Sequence, residues 1–399
     1  MIVQKYRDML SGKSVIRQLS EFATARGAEI GYENVFDYSL GNPSVPAPRA
    51  FTEEMIALLE SRDPMELHGY SPSLGIPSVR EAVAASLAGR FGIPYEGKHI
   101  FMTCGAAGAI AHAVRCVTEP GDEVLTFAPF FPEYHPYIDL TGAVLKVVPA
   151  QVEDFQINFR AFEEMITAKT MAVLINTPNN PSGIVYSPET IQRLADTLHR
   201  KSREYGHDIF IISDEPYREI VFEGVINPCV SAYYSNTLMC YSFSKSLSLP
   251  GERIGYVVVP DEAADAGELI RGIEISNRTL GFVNAPSLVQ QAVARCLEEK
   301  TDVSFYDENR KMLYEGLTKL GFTCIKPEGA FYLWVKSPME DEEAFVNEGK
   351  KFHLLMVKGG AFGCPGYVRL AYCVSHETIE RSLPAFAKLA ESCGLTAGK

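Results

Sequence analysis

What this chain of 399 residues lacks narrows it first. It has no run of about 18 apolar residues, so no membrane-spanning helix is expected. Its N-terminus, "MIVQKYRDMLSGKSVIRQL", carries scattered charge and no apolar core of signal-peptide length. Nine cysteines form no C-x-x-C pair, and eight histidines show no H-E-x-x-H or comparable ligand spacing, so no built-in metal site is expected. Cys104, Cys240, Cys296 and Cys373 sit inside apolar patterns and read as reduced, buried thiols of a cytoplasmic protein. Positive charge is scarce: 37 Lys and Arg against 50 Asp and Glu give a net charge of -13. A nucleic-acid binder would show a basic face or stripe, so that class is excluded. Any anionic ligand must then be held by locally placed donors. The phosphate signature G-x-x-x-x-G-K-[ST] and the dinucleotide signature G-x-G-x-x-G are both missing, which counts against a nicotinamide dehydrogenase. The "GKS" at 12–14 lacks its upstream glycine.

What is there is an alternation of apolar strands and amphipathic helices between about 98 and 260. "HIFMT" (99–103), "EVLTFA" (123–128), "AVLKVV" (143–148), "MAVLIN" (171–176), "DIFIIS" (208–213), "TLMCYS" (237–242) and "RIGYVVV" (253–259) are the strands. Between two of them Ile191, Leu194, Ala195 and Leu198 repeat at helical spacing. Near-continuous apolar strands alternating with helices imply an α/β fold, a mostly parallel sheet covered by helices on both faces. After 284 the texture changes to helices at 286–298 and 302–319, short strands near 322–326, 330–335 and 367–373, and a final helix from 376. The reading is therefore a large domain over 48–285. A smaller α+β domain is made from both chain termini, 1–47 and 286–399.

An open parallel sheet binds ligands beyond the carboxyl ends of its strands. There the sequence places the Gly105 turn at a helix start, then Asn176, Asp214, Tyr217, Ser242 and Lys245. Each has an ordinary reading as well. The small residues at Gly105 serve tight packing as readily as a phosphate. Asp214 follows the wholly apolar "IFII" and could be a cap or a structural ion pair. Lys245 could be a solvated surface charge, Arg253 a bridge between loops, and Arg369 an outward residue or an anion clamp. Their convergence on one rim is the signal.

"NTPNNPSG", "SDEPY", "SFSK" followed by Arg253, and the late "YVRLAY", in this order, resemble the class I/II aminotransferases, the pyridoxal-phosphate enzymes of fold type I. The similarity runs from "SLGNPSVPAP" near residue 40 to Arg369. It implies pyridoxal 5'-phosphate held as an internal aldimine on Lys245, which would also be the catalytic base. Asp214 would pair with the pyridine nitrogen, and Tyr217 and Asn180 would bond the phenolic oxygen. Gly105, Ala106, Ala107, Ser242, Ser244 and Arg253 would hold the phosphate, and Phe131 would stack on the ring. Tyr70 would reach the phosphate of the neighbouring subunit, which implies a homodimer with shared active sites. Arg369, with Asn180 and the backbone at Gly41, would grip the substrate carboxylate. The implied reaction moves an amino group from an α-amino acid to a 2-oxo acid in ping-pong fashion. The alternative is a pyridoxal-phosphate C–S or β-lyase, which shares these residues. Two features depart from the family pattern. Glu252 precedes Arg253 where an apolar residue is usual, and Ala106 and Ala107 offer no hydroxyl. Ala107 also replaces a lysine that some aspartate-specific relatives carry. Arg278 is then the candidate for a second carboxylate site, and the donors expected are neutral or aromatic.

Overall fold

The structure, a computed structural model, describes residues 2–11 and 15–396; the "GKS" at 12–14 lies outside them. Near the N-terminus β1 (Phe36–Asp37) is followed by the strands of a seven-stranded sheet. These are β2 (Ile100–Thr103), β3 (Glu123–Phe127), β4 (Val144–Val148), β5 (Thr170–Asn176), β6 (Phe210–Asp214), β7 (Thr237–Ser242) and β8 (Gly255–Val258). Their spatial order is β2-β8-β7-β6-β5-β3-β4. The run from β7 to β4 is parallel, and β8 is antiparallel to both of its neighbours. This is the expected mostly parallel sheet. Every residue of β6 and β7 is buried, because helices cover both faces and leave no side for water.

The helix Pro188–Tyr205 shows why these crossovers form. Ser187 caps it by accepting from the Thr190 N–H, Pro188 opens it, and Gly206 closes it at φ 76. Ile191, Leu194, Ala195 and Leu198 are fully buried on its sheet-facing side. Each large side chain buried there contributes about 1.5–3 kcal/mol.

A four-stranded antiparallel sheet follows, from β9 (Cys324–Ile325), β10 (Tyr332–Lys336), β12 (Val357–Lys358) and β13 (Tyr367–Ala371), in the order β12-β13-β10-β9. The pair missed from sequence is β1 with β11 (Leu354–Leu355), which run parallel. Two-residue strands carry no periodicity to read. They tie the N-terminal segment to the C-terminal part, where Tyr38 packs on Phe386 and its hydroxyl meets Ser382 Oγ at 2.6 Å. The helix expected over 286–298 is shorter, Ser287–Val293. Beyond it Arg295 and Cys296 bond three residues back, and the chain tightens into turns. Among the described residues no helix is long and apolar enough to cross a membrane.

Candidate active site

The carboxyl ends of the parallel strands meet the β10–β13 sheet around a cavity of ≈ 330 Å³. Twelve of the fourteen residues singled out from sequence line it. Ala106, Ala107, Ser242, Ser244 and Arg253 stand at one end. Phe131, Asp214, Tyr217 and Lys245 form the body, and Gly41, Asn180 and Arg369 close the side formed by β13 and the N-terminal segment. The two others lie elsewhere. Gly105 sits just behind the wall, and Tyr70 is 92 % exposed beside a separate surface recess with His68 and Asn284.

The turn after β2 brings together groups that would hold an anion. Gly105 has φ +76, a conformation that favours glycine, and a Cβ there would stand 3.0 Å from Arg253 Nη2 and crowd the end of that side chain. It opens the helix Gly105–Val117, whose free N–H groups and dipole favour an anion. Arg253 itself is held at φ 52, with Nη1 donating to Pro250 O at 2.9 Å and Nη2 to Cys104 O at 3.4 Å. Ser242 Oγ accepts from the Ser244 N–H, starting the short helix Phe243–Ser246, and lies 2.7 Å from Ser244 Oγ. Glu252 is exposed on the adjoining turn and does not line the cavity.

Lys245, on that short helix, donates to Gly41 O at 2.7 Å. Burial, with Arg369 and Arg253 nearby, pulls its ammonium down to about 8. Asp214 ends β6 and is buried. Burial pushes its carboxyl up to about 7, although Tyr134 donates to Oδ2 at 2.6 Å. Asp214 Oδ1 is buried with no partner among the described residues. A protonated pyridine nitrogen is the donor that would satisfy it, so the residues present fit pyridoxal phosphate: an anion cradle at one end, a carboxylate at the other, a desolvated lysine between.

On the other side Arg369 is buried. Nη1 donates to Asn180 Oδ1 at 2.9 Å, Nη2 donates to Ser39 O, and Nε is buried without a partner among the described residues. A fork fixed in this way suits a carboxylate. Asn180 is positioned in turn by Asn176, whose Oδ1 accepts from the Asn180 N–H at 2.7 Å while Nδ2 donates to Asp214 O at 2.9 Å.

Sequence reasoning passed over Tyr134, Tyr137 and Tyr332. Tyr134 and Tyr137 stand three residues apart on the helix Tyr134–Asp139, just after "APFF". That spacing from Phe131 was a usable signal for Tyr134. For Tyr332 there was none, because its hydroxyl meets the site only through the packing of β10 against the segment after β6.

The comparisons agree with this geometry. The family described as "Aminotransferase class I and II" matches residues 33–386. The aspartate aminotransferase of Thermotoga maritima is 30% identical over 92% of this chain and 97% of its own length. The aromatic-amino-acid aminotransferase 2 of Thermococcus litoralis is 28% identical over 94% of this chain and 95% of its own. A solved aminotransferase from Eubacterium rectale has a TM-score of 0.96 at 48% identity, covering 98% of this chain and 99% of that one. Aminotransferase, and not lyase, is the activity these relatives carry. The chain belongs to the class I and II aminotransferases and is a pyridoxal-phosphate-dependent enzyme of fold type I.

Proposed function

We propose that this aminotransferase takes neutral or aromatic α-amino acids as donors, in an active site completed across a homodimer. The observation that carries the donor choice is the set of cations in the cavity wall: Lys245, Arg253 and Arg369. Each has a role. Lys245 holds the cofactor, Arg253 its phosphate, and Arg369 the substrate α-carboxylate. A second carboxylate would be buried without a partner, which is strongly disfavoured. Ala107 supplies no charge, and Arg278, exposed at the end of the helix Ala266–Thr279, lies outside its own cavity's wall, so a fourth cation would have to be delivered from the neighbouring subunit. The relatives' names divide between aspartate and aromatic donors, so family alone does not choose.

Pyridoxal phosphate supplies the electron sink for the carbanion formed at the substrate Cα. The chain's own residues do the rest. Asp214 would hold the proton on the ring nitrogen, and Tyr217 and Asn180 would bond the phenolic oxygen. Ala106, Ala107, Ser242, Ser244 and Arg253 would hold the phosphate, with the Gly105 backbone behind them. Phe131 would supply the ring's apolar contact. Lys245, lowered to about 8 by burial, would take the Cα proton and deliver it to the carbon on the far side of the substrate nitrogen. Arg369 and Asn180 orient Cα for that transfer.

The homodimer rests on Tyr70. Its exposed ring is of no use to its own cavity, and Ser71 is tied to Asn284 at 2.8 Å beside the exposed Phe282 and Val283. A two-fold axis through such an apolar surface gives each site one tyrosine from its neighbour. Nine free thiols favour a cytoplasmic location. The test is kcat/KM for aspartate beside alanine, leucine, phenylalanine and tyrosine, with sedimentation at the assay concentration. A preference for aspartate that vanishes in Arg278→Ala would overturn the donor assignment, and a fully active monomer would overturn the shared site.

A further inference from the structure

Three parts of the site converge on one residue that has no role in the scheme above. Tyr332, on β10, is 2 % exposed. Its hydroxyl lies 2.7 Å from Tyr217 Oη. The Arg369 guanidinium sits over its ring, 4.7 Å from the centroid. The backbone that accepts from Lys245 presses on the same hydroxyl: a Cβ on Gly41 would stand 2.1 Å from Tyr332 Oη. The phenol proposed to bond the cofactor and the cation proposed to bind the substrate therefore share Tyr332 as a neighbour, with the Phe362 ring, 4.9 Å from the Arg369 guanidinium, as that cation's other aromatic contact.

We propose that Tyr332 is a positioning residue that joins the two ends of the chemistry, its hydroxyl holding and polarising Tyr217 and its ring face holding Arg369. The inference rests on the roles given above to Tyr217 and Arg369. The hydrogen-bond inventory shows how it works. A tyrosine hydroxyl has one proton and two lone pairs. When Tyr217 donates its proton to the cofactor's phenolic oxygen, its oxygen is free to accept from Tyr332. A donor that is itself accepting is strengthened, because successive hydrogen bonds polarise one another. Tyr332 thus stabilises negative charge on a phenolic oxygen it does not touch. The groups facing the pair are Asp214 and Tyr134 from the large sheet's rim and Arg369, Tyr372 and Cys373 from β13 and the residues after it. Burial pushes Tyr332 up to about 12 even with Arg369 and the Tyr217 bond pulling it down. It therefore stays protonated and remains a donor across the working range.

The experiment is a pH titration of the cofactor's visible absorbance band in the purified holoenzyme, read for wild type, Tyr332→Phe and Tyr217→Phe. Tyr332→Phe keeps the buried ring and removes only the hydroxyl, so the fold is retained. It should raise the band's pKa, making the proton affinity roughly threefold higher, in the same direction as Tyr217→Phe and by less. An unchanged band in Tyr332→Phe beside a shifted one in Tyr217→Phe would overturn the proposal while leaving the role of Tyr217 intact. No shift in either would remove the role of Tyr217 and the proposal with it. The ring is tested separately. Tyr332→Leu should raise the KM for the amino donor roughly tenfold by releasing the cation–π contact, and Tyr332→Phe should not. An equal rise in both would show that the ring does not hold Arg369.

Discussion

Two carboxylates stand side by side at the end of β6, and the chain treats them in opposite ways. Glu215 is 0 % exposed and fully provided for: Ser213 Oγ donates to Oε1 at 2.6 Å, and the buried Arg218 donates to Oε2. Arg218 also donates to Pro228 O at 3.2 Å and lies over the Phe91 ring. Among the described residues the Asp214 carboxylate, one residue earlier, accepts only from Tyr134 and keeps Oδ1 unpartnered. Burial alone therefore does not mark a functional acid. The cation, more than the unpartnered oxygen, separates them: Glu219 also keeps a buried oxygen without a hydrogen bond, yet it is paired with Arg90, whereas Asp214 has no cation beside it among the described residues.

The largest test of this contrast is Asp214→Asn. The amide cannot hold the ring-nitrogen proton as an ion pair, so kcat should fall on the order of 10³-fold in stopped-flow half-reactions. The same variant separates the two acids by stability. Asp214 is raised to about 7 in the protein without cofactor. A raised carboxyl contributes stability that is complete below about pH 4 and is lost as pH rises through 7. Between pH 4 and 8 the wild-type apoprotein should therefore lose more thermal stability than Asp214→Asn apoprotein does, as read by calorimetry. Parallel curves would mean that Asp214 is not desolvated as described.

Arg218→Ala reverses the pattern. It strands the buried Glu215 charge and should cost about 3–5 kcal/mol in denaturant unfolding, while kcat of the folded fraction changes little. A large kcat loss at unchanged stability would place Glu215 with Asp214 among the residues of the reaction. The smallest effect is Tyr134→Phe. It removes one charge-assisted bond to Asp214, worth about 1.5 kcal/mol, and should weaken cofactor binding roughly tenfold in equilibrium dialysis. Unchanged affinity would mean that Asp214 needs no positioning.

The same contrast explains what could be read in advance. The apolar strands, the "SDEPY" and "SFSK" strings and Arg369 were legible because each is a local run or sits at a fixed distance from one. Strand-end position and the family resemblance singled out Asp214 in "SDEP", but nothing in a string of letters shows that Arg218 folds back on Glu215 and that Asp214 Oδ1 stays unpartnered among the described residues. Tyr332 was silent for a similar reason. It sits 115 positions beyond Tyr217, and only packing between two sheets brings the hydroxyls together.

By itself the sequence determined the order of strands and helices, the parallel sheet they imply, and the side chains delivered to its carboxyl rim. Strand alternation and strand-end position are local properties of a chain with period two or 3.6. Only the tertiary structure decided that Arg218 pairs with Glu215 and not with Asp214, how far Lys245 is desolvated, and that Tyr70 stays exposed outside its own cavity's wall. Those are properties of the space between elements, where desolvation and partner geometry set the chemistry.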